Sequence, residues 1–259
     1  MTWHGGENAV SVERVNQGRT LERALDVIEC VEASRTPLKL TQISKATGLH
    51  ITTTQRITTT LARRGYLNST EAGYTLGPVV LAHAHAFMLQ DRLASVSHPV
   101  LQNLTETTGF TSSVYVRSGW SRILVARVEP PESLRYRFPI GQRLDLDVGG
   151  GKVLLAAVAP EELDEFLKDY SGLALASGRQ QTADSLRSEL AEAAATGTYE
   201  SHSERYPGTV SLTAAITDSR GTVIGVVNLV TTEETISEDG LARFRSRVIQ
   251  AARVIGEQL

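Results

Sequence analysis

The chain has 259 residues, of which 41% are hydrophobic and 21% charged, and its formal net charge is −3. No apolar run approaches the roughly 20 residues that cross a bilayer, and residues 1–18 lack a basic segment followed by an apolar core, so we expect neither a membrane protein nor a signal peptide. The single cysteine, Cys30, excludes an intrachain disulfide framework and a multi-cysteine metal site, and it favours a reducing, cytoplasmic setting.

Three helices are predicted in the first quarter of the chain, after a disordered arm over residues 1–18. Apolar residues at helical spacing predict the first helix over residues 20–33. Thr41 is a suitable N-cap for a second, short helix, which ends at Gly48 because glycine suits a tight C-terminal turn. The third helix is predicted over residues 50–64.

The third helix carries the most informative surface of the sequence. We expect four of its residues to face inward, namely Ile51, Thr54, Ile57 and Leu61. The outward positions hold polar or basic residues, namely Thr52, Thr53, Gln55, Arg56, Thr59, Thr60, Arg63 and Arg64. Such side chains hydrogen-bond to base edges and phosphates, and none of them repels a phosphate. Two helices joined by a glycine turn, the second polar and basic, are typical of a helix-turn-helix; Thr41 and Gln42 of the preceding helix are further DNA-binding candidates.

The charge is distributed unevenly along the chain. Residues 33–70 contain six basic and no acidic residues, whereas residues 94–259 contain 16 basic and 21 acidic residues. A local basic stretch is the electrostatic footprint of nucleic-acid binding. From charge alone, a solvated basic face is an equally good interpretation.

Beyond Gly65, two short strands around a turn over residues 68–73 predict a wing, so that residues 20–76 would form a winged helix-turn-helix. A small helical subdomain with a hairpin lid is the alternative. Residues 78–93 predict an apolar linker helix; its two histidines, His83 and His85, lie on different faces and are not expected to bind one metal.

The remainder predicts an α+β domain with an antiparallel sheet, since strands, then helices, then strands follow one another. The predicted strands cover residues 111–116, 123–129, 134–138, 210–217 and 223–232. The predicted helices cover residues 100–108, 152–158, 160–170, 182–196 and 237–258.

In its order of motifs the chain resembles the IclR family of bacterial transcriptional regulators over residues 19–256. The N-terminal features that carry the resemblance are Arg23-Ala24-Leu25, Gly48-Leu49, Thr52-Thr53-Thr54-Gln55-Arg56, Gly65-Tyr66 and Tyr74-x-Leu76-Gly77. The resemblance implies a winged helix-turn-helix DNA-binding domain over 19–77, a linker helix over 78–95 and a GAF/PAS-like effector-binding domain over 96–259. It also implies homodimers or tetramers that bind palindromic double-stranded DNA operators, most often as repressors, and that respond to small organic acids.

The implied effector pocket borders the segment from Gly141-Gln142-Arg143 to Gly149-Gly150-Gly151-Lys152. In the family this segment usually has Pro and His where this chain has Asp145 and Asp147. Further pocket positions implied by the resemblance are Gly149, Gly150, Ser201, Ser211, Asn228 and Val230. Arg143 is the expected carboxylate partner, since a guanidinium can bind both oxygens; a surface arginine in a loop is the alternative.

An enzyme and a protein-interaction module are the two alternative functions. An enzyme is disfavoured because Leu146 and Val153 interrupt a phosphate-loop pattern around Gly149-Gly150-Gly151-Lys152, no GxSxG motif occurs, and the histidines lack ligand spacing, so we expect no cofactor, metal or catalytic residue. A ligand-sensing module that acts through protein contacts is the second alternative, and the acid-free third helix argues against it.

Overall fold

The computed structural model describes residues 7–131, 138–236 and 238–259, with side chains from residue 18 onwards except those of residues 238 and 239. The chain divides into two compact units, Met1–Gln90 and Asp91–Leu259. This boundary falls inside the segment 78–95 that the sequence predicts as a linker, where one helix ends at Gln90 and the next begins at Arg92.

The first unit consists of helices and one hairpin. In chain order they are α1 (Glu7–Glu32), α2 (Leu40–Thr47), α3 (Ile51–Arg63), β1 (Leu67–Thr70), β2 (Gly73–Leu76) and α4 (Val79–Gln90). The expectation of a disordered arm is wrong for residues 7–18, because α1 begins at Glu7. Residues 1–6 of that arm lie outside the described residues.

The core of the first unit lies between α1, α2, α3 and β1. Its buried residues are Val27, Val31, Ile43, Ile57, Leu61 and Leu67. The inward positions predicted for α3 are confirmed except at Ile51, which is 36% exposed at the first residue of the helix. Thr58 is fully buried instead, one turn after Thr54 on the same face, and it donates a hydrogen bond to the carbonyl oxygen of Gln55 (3.1 Å). That bond removes the cost of burying its hydroxyl.

The wing is a tighter hairpin than predicted, because pairing extends to Thr70 and Gly73 and leaves only residues 71 and 72 in the turn. Leu38, ahead of α2, adds a bridge to Tyr74. Gly73 has φ +135°, and a Cβ there would lie 2.6 Å from the carbonyl oxygen of Leu38. A glycine at this position therefore lets the wing pack against the segment before α2.

The second unit is an α+β domain. In chain order its elements are α5 (Arg92–Thr108), β3 (Thr111–Ser118), β4 (Ser121–Val128), β5 (Arg143–Asp145), α6 (Gly151–Leu155), α7 (Pro160–Lys168), β6 (Leu173–Ala174), β7 (Gln180–Gln181), α8 (Ala183–Thr196), β8 (Thr198–His202), β9 (Thr209–Thr217), β10 (Val223–Thr232) and α9 (Glu238–Glu257).

One antiparallel sheet organises these elements, with the strand order β5-β4-β3-β10-β9-β8. Helices α5 and α9 cover one face, over a core that includes Leu101, Val227 and Ile255. Helices α6 and α8 lie on the other face, over a core that includes Leu124 and Leu186. The predicted α+β fold with an antiparallel sheet is confirmed.

Two local differences from the predicted elements have clear causes. Helix α5 starts at Arg92 rather than near residue 100, because the side chain of Asp91 accepts from the backbone N–H of Ala94 (3.0 Å) and caps it. The short edge strands β5 and β8 were not predicted, since alternation over three to five residues is too brief to stand out. Of the predicted strand 134–138, only Phe138 is described, and it lies outside any strand.

Candidate DNA interface and effector site

Helix α3 begins on a side-chain cap. Its N-cap is His50, whose Nδ1 accepts from the backbone N–H of Thr52 and lies 2.9 Å from the Thr52 hydroxyl. Helix α2 ends at Gly48, which has φ +68°, and the Ser44 hydroxyl donates to the carbonyl oxygen of Leu49 in the turn (2.6 Å). The two helices therefore meet through a hydrogen-bonded turn, as a helix-turn-helix requires.

The predicted DNA-binding face of α3 is open to solvent. Thr53 is half-buried, and the exposed predicted residues are Thr52, Gln55, Arg56, Thr59, Thr60, Arg63 and Arg64. The Thr60 hydroxyl donates to the carbonyl oxygen of Arg56 (2.9 Å), and the Gln55 amide donates to the Thr59 hydroxyl (3.4 Å). These local bonds order the small polar side chains along the helix.

The arginines of this face have no anionic partner among the described residues. Arg56, Arg63 and Arg64 are exposed and form no ion pair there. A helix of a soluble protein ordinarily places acids one turn away from such cations. The positive charge of α3 is therefore available to an external anion.

In α2, one predicted DNA-binding residue also has a structural role. The side-chain Oε1 of Gln42 accepts from the backbone N–H of Lys39 (2.7 Å). The N-cap of α2 is thus Lys39 and not Thr41, which lies exposed in the first turn. The amide nitrogen of Gln42 retains its capacity to donate.

The wing contributes no cation. Between residues 67 and 76 the sequence has no lysine or arginine, and Glu71 stands in the turn. Contact of the wing with phosphates would therefore depend on neutral groups such as Asn68, Ser69 and Thr70, which are exposed.

In the second unit, two rows of side chains cross the sheet on the face turned toward α6. Directly paired residues of antiparallel strands point to the same side. One row consists of Thr111, Val230, Ser211 and Ser201, and the other of Ser113, Asn228, Thr213 and Tyr199. The hydroxyls of Ser201 and Ser211 lie 2.8 Å apart, and the Asn228 amide donates to the Thr213 hydroxyl (2.8 Å).

The glycine loop ahead of α6 lies against these rows. A Cβ at Gly149 would lie 3.5 Å from Ser201 Oγ, and a Cβ at Gly150 would lie 2.4 Å from Thr213 Oγ1 and 3.0 Å from Asn228 Nδ2. Gly150 has an ordinary helical φ of −60°, so the lack of a side chain there serves close approach and not an unusual backbone conformation. The structure thus brings together six predicted effector-binding residues, Gly149, Gly150, Ser201, Ser211, Asn228 and Val230.

Arg143 is not brought to this loop. It pairs with Ile123 across β5 and β4, whereas Leu144 pairs with Arg122. Successive residues of a strand point to opposite faces, and Leu144 belongs to the core on the α6 side. Arg143 therefore faces away from the glycine loop.

Arg122, which the sequence analysis missed, takes the position that was expected of Arg143. It is 5% exposed, and its Nη2 donates to the carbonyl oxygen of Val148 (3.3 Å). Its guanidinium carbon lies 4.7 Å from the centre of the Tyr115 ring. Burial lowers the pKa of Arg122 to about 10 and outweighs the opposing effect of Tyr115, so the group is still charged near neutral pH. The predicted strand began at residue 123, and alternation with Leu124 was the one signal that could have placed Arg122 inward.

A buried ionic network holds the loop from the other side. Lys152 Nζ donates to carboxylate oxygens of Glu189 (2.6 Å) and Glu204 (2.8 Å) and to the Tyr199 hydroxyl (2.9 Å). Glu204 Oε2 also accepts from the backbone N–H of Gly149 (2.7 Å). Burial and the adjacent Glu204 raise the pKa of Tyr199, which keeps its hydroxyl protonated.

The described part of the chain offers neither a metal site nor a membrane span. No group of three or more histidine, cysteine, aspartate or glutamate residues could hold a metal ion. No described helix is both long and apolar enough to cross a membrane.

Comparison with protein families identifies both units. Residues 20–71 match the IclR helix-turn-helix domain, and residues 85–257 match the C-terminal domain of the bacterial transcriptional regulator IclR. The chain belongs to the IclR family of transcriptional regulators. An IclR-family protein combines a helix-turn-helix DNA-binding domain with a C-terminal effector-binding domain, and the expectations of family, fold and function are confirmed at that level.

Named relatives match most of the chain. The HTH-type transcriptional regulator BhcR of Paracoccus denitrificans is 30% identical over 91% of this chain and 85% of its own length. The transcriptional repressor IclR of Escherichia coli is 28% identical over 92% of this chain and 89% of its own. Among solved structures, an IclR homologue from Microbacterium hydrocarbonoxydans in complex with 4-hydroxybenzoate superimposes with a TM-score of 0.72 at 21% identity, over 93% of this chain and 98% of that one.

Proposed function

We propose that the protein is a cytoplasmic repressor that binds a specific operator through α3 and releases or retains it according to a small organic acid bound at the glycine loop. The observation that carries the DNA-binding part is the exposed face of α3, where three arginines have no acidic partner among the described residues. Binding of such a basic, acid-free helix to DNA is favourable because it releases the counterions that are condensed on the phosphates.

In this proposal α3 lies in the major groove. Arg56 and Gln55 are the candidates for reading base edges, with Thr52, Thr53, Thr59 and Thr60 beside them. A bidentate arginine contact to guanine is the commonest specific contact to a base. Arg63, Arg64, Thr41 and Gln42 would contact mainly phosphates and sugars, which fix the register of the protein on the duplex.

A homodimer supports this mode of binding, because one winged helix contacts too few base pairs for tight specific recognition. Helix α4 offers an apolar surface for self-association: Leu81 and Leu89 are each 74% exposed, and Phe87 is 48% exposed. A helix that is apolar on several faces is normally buried, so these exposed side chains indicate an interaction surface. Two copies related by a twofold axis would bind a palindromic operator.

The effector part rests on the cluster of Gly149, Gly150, Ser201, Ser211 and Asn228. Hydroxyl and amide groups from three strands converge there on a loop without side chains. A few convergent polar groups against an apolar core are typical of a small-molecule site. The bound 4-hydroxybenzoate of the Microbacterium homologue supports an organic acid as the ligand class.

To test this, the purified protein is used to select genomic DNA fragments that it binds. The affinity for the selected fragment is then measured over a series of salt concentrations. We expect log affinity to fall linearly with log salt with a slope of about −0.9 per phosphate contact. A slope near zero would exclude DNA binding through the basic face of α3. Repetition with 4-hydroxybenzoate and other organic acids then tests the effector part, and an affinity that no acid changes would contradict it.

A further inference from the structure

Arg122, beside the glycine loop, and the nearby Arg205 have buried nitrogen atoms that donate to no described residue. These atoms are Nε and Nη1 of Arg122 and Nε and Nη2 of Arg205. Buried donors almost always have a partner, and an unpartnered buried charge is costlier than an unpartnered neutral group. Two such cations at one site are therefore an exception that requires an explanation.

The acids near the two arginines are either exposed or shared with other cations. Arg122 and Arg205 lie close enough that Arg205 disfavours the charged form of Arg122. The ion-pair partner of Arg205 is Asp145, at 3.6 Å, and the side chain of Asp145 is 73% exposed. Water screens an exposed pair of this kind, so it contributes little.

The neighbouring acids are already engaged with other cations. Glu204 and Glu189 each form ion pairs with both Lys152 and Arg179, at distances between 2.6 and 3.6 Å. Two acids and two cations cancel within that network. Among the described residues, Arg122 and Arg205 are therefore left without a buried acid of their own.

Other donors point to the same place. Arg122 Nη1 and Asn228 Nδ2 both lie 3.0 Å from the point where a Cβ of Gly150 would stand, and Thr213 Oγ1 lies 2.4 Å from it. The amide of Asn228 already gives one hydrogen to Thr213 and has a second one to donate. A cation, an amide and a hydroxyl thus converge on one edge of the loop, which is the arrangement that binds an anionic oxygen.

We propose that Arg122 and Arg205 together bind the carboxylate of the effector at the Gly149–Gly150 loop. Nε and Nη2 lie on one edge of the Arg205 guanidinium and match the two oxygens of a carboxylate, while Arg122 adds single hydrogen bonds from the sheet. This assignment rests on the proposed effector site, and it moves the anion-binding role from Arg143 to Arg122.

The first test uses thermal unfolding of the ligand-free protein. Arg122→Met keeps an unbranched stem and removes the charged guanidinium, and Arg143→Met, on the other face of the sheet, is the matched control. An anion-binding arginine without its anion destabilises the fold, so we expect Arg122→Met to unfold at the same temperature as the parent or higher. A Tm that falls by more than about 4 °C, or failure to fold, would assign Arg122 a structural role and overturn the proposal.

The second test compares ligand charge at fixed shape. The parent is heated with acetate, succinate and benzoate at matched ionic strength, and with acetamide, succinamide and benzamide. We expect at least one acid to raise Tm by about 2 °C or more and its amide to have no effect. The shift should disappear in Arg122→Met and in Arg205→Gln, and persist in Arg143→Met. The proposal is overturned if acids and amides act alike, if no acid acts, or if phosphate stabilises the parent where no carboxylate does.

Operator binding separates this proposal from the proposed function. The selected DNA fragment is titrated with the parent and with Arg122→Met, with and without the acid that stabilises the parent, and adding the acid should change the affinity of the parent alone. If neither protein binds DNA, the DNA-binding proposal fails while the thermal tests still decide the role of Arg122. If both bind and Arg122→Met still responds to the acid as the parent does, the role of Arg122 fails alone.

Discussion

Lys152 and Glu204 form a buried ion pair in which Nζ lies 2.8 Å from one carboxylate oxygen and 2.9 Å from the other. Glu204 also accepts from the backbone N–H of Gly149 (2.7 Å). The pair therefore joins α6 to the segment after β8 and holds the glycine loop between them. Any ligand at the loop is bound against a backbone that this pair keeps in place.

Replacing Lys152 should lower the free energy of unfolding of the second unit. Lys152→Met leaves the Glu204 carboxylate buried without its main counter-ion, and breaking a buried pair costs about 3–5 kcal/mol. The double variant Lys152→Met with Glu204→Gln removes both charges and keeps an acceptor for Gly149, so it should recover part of the loss. Urea unfolding of the three proteins measures this, and a Lys152→Met variant within about 1 kcal/mol of the parent would contradict the account.

Glu189, an acid of the same network, should make the stability of the fold depend on pH. Burial alone would raise the pKa of Glu189, but hydrogen bonds and charges from Lys152 and Arg179 outweigh it and hold the pKa below its ordinary value of 4.5. A lowered folded-state pKa contributes stability above the unfolded pKa and loses it as the pH falls through the folded value. The stability advantage of the parent over Glu189→Gln should therefore be full at about pH 6 and shrink below about pH 4.5.

Unfolding free energies of the parent and of Glu189→Gln, measured at about pH 6 and at a pH below about 4.5, check this expectation. Glu192→Gln, an exposed substitution on the same helix, is the control for the loss of one carboxylate. A difference between the parent and Glu189→Gln that stays constant as the pH falls would show that Glu189 is not stabilised in its charged form.

Gly150 should tolerate no side chain. In Gly150→Ala the added methyl group would meet Thr213 Oγ1 at 2.4 Å and Asn228 Nδ2 at 3.0 Å. Overpacking of this kind costs about 1–3 kcal/mol, and it should also abolish the response to acid, because the donors are displaced. Gly18→Ala, with no atom within 4 Å of the new methyl group, is the control. Thermal shift with and without acid measures both effects, and a Gly150→Ala variant that responds as the parent does would place the ligand elsewhere.

The two units differ in how far the sequence predicts their sites. Helix α3 follows from local information, because the spacing of Ile57 and Leu61 sets its inner face and leaves the polar face outside. The site of the second unit is built by strand register between distant segments, so Arg122, 28 positions before Gly150 in the sequence, is placed beside it only by the fold. Arg143 was expected there because it is near the loop in sequence, and a one-residue difference in strand position turned it to the opposite face.

Self-association should depend on the apolar surface of α4. Leu89→Glu places a charge where a side chain is 74% exposed in the single chain, so the fold should persist while the dimer weakens. Gln90→Glu adds the same charge at the neighbouring exposed position and serves as the control. Sedimentation equilibrium should show a shift toward monomer in Leu89→Glu alone, and an unchanged mass would remove α4 from the interface.

The central claim, that α3 reads the operator, is tested most directly by the affinity of Arg56→Ala for the selected operator and for a scrambled duplex of equal length. Arg220→Ala, an exposed arginine of the second unit, is the control. We expect Arg56→Ala to weaken operator binding by about 5- to 150-fold, or 1–3 kcal/mol, with a much smaller effect on the scrambled duplex. Equal affinity of Arg56→Ala and the parent for the operator would contradict the account.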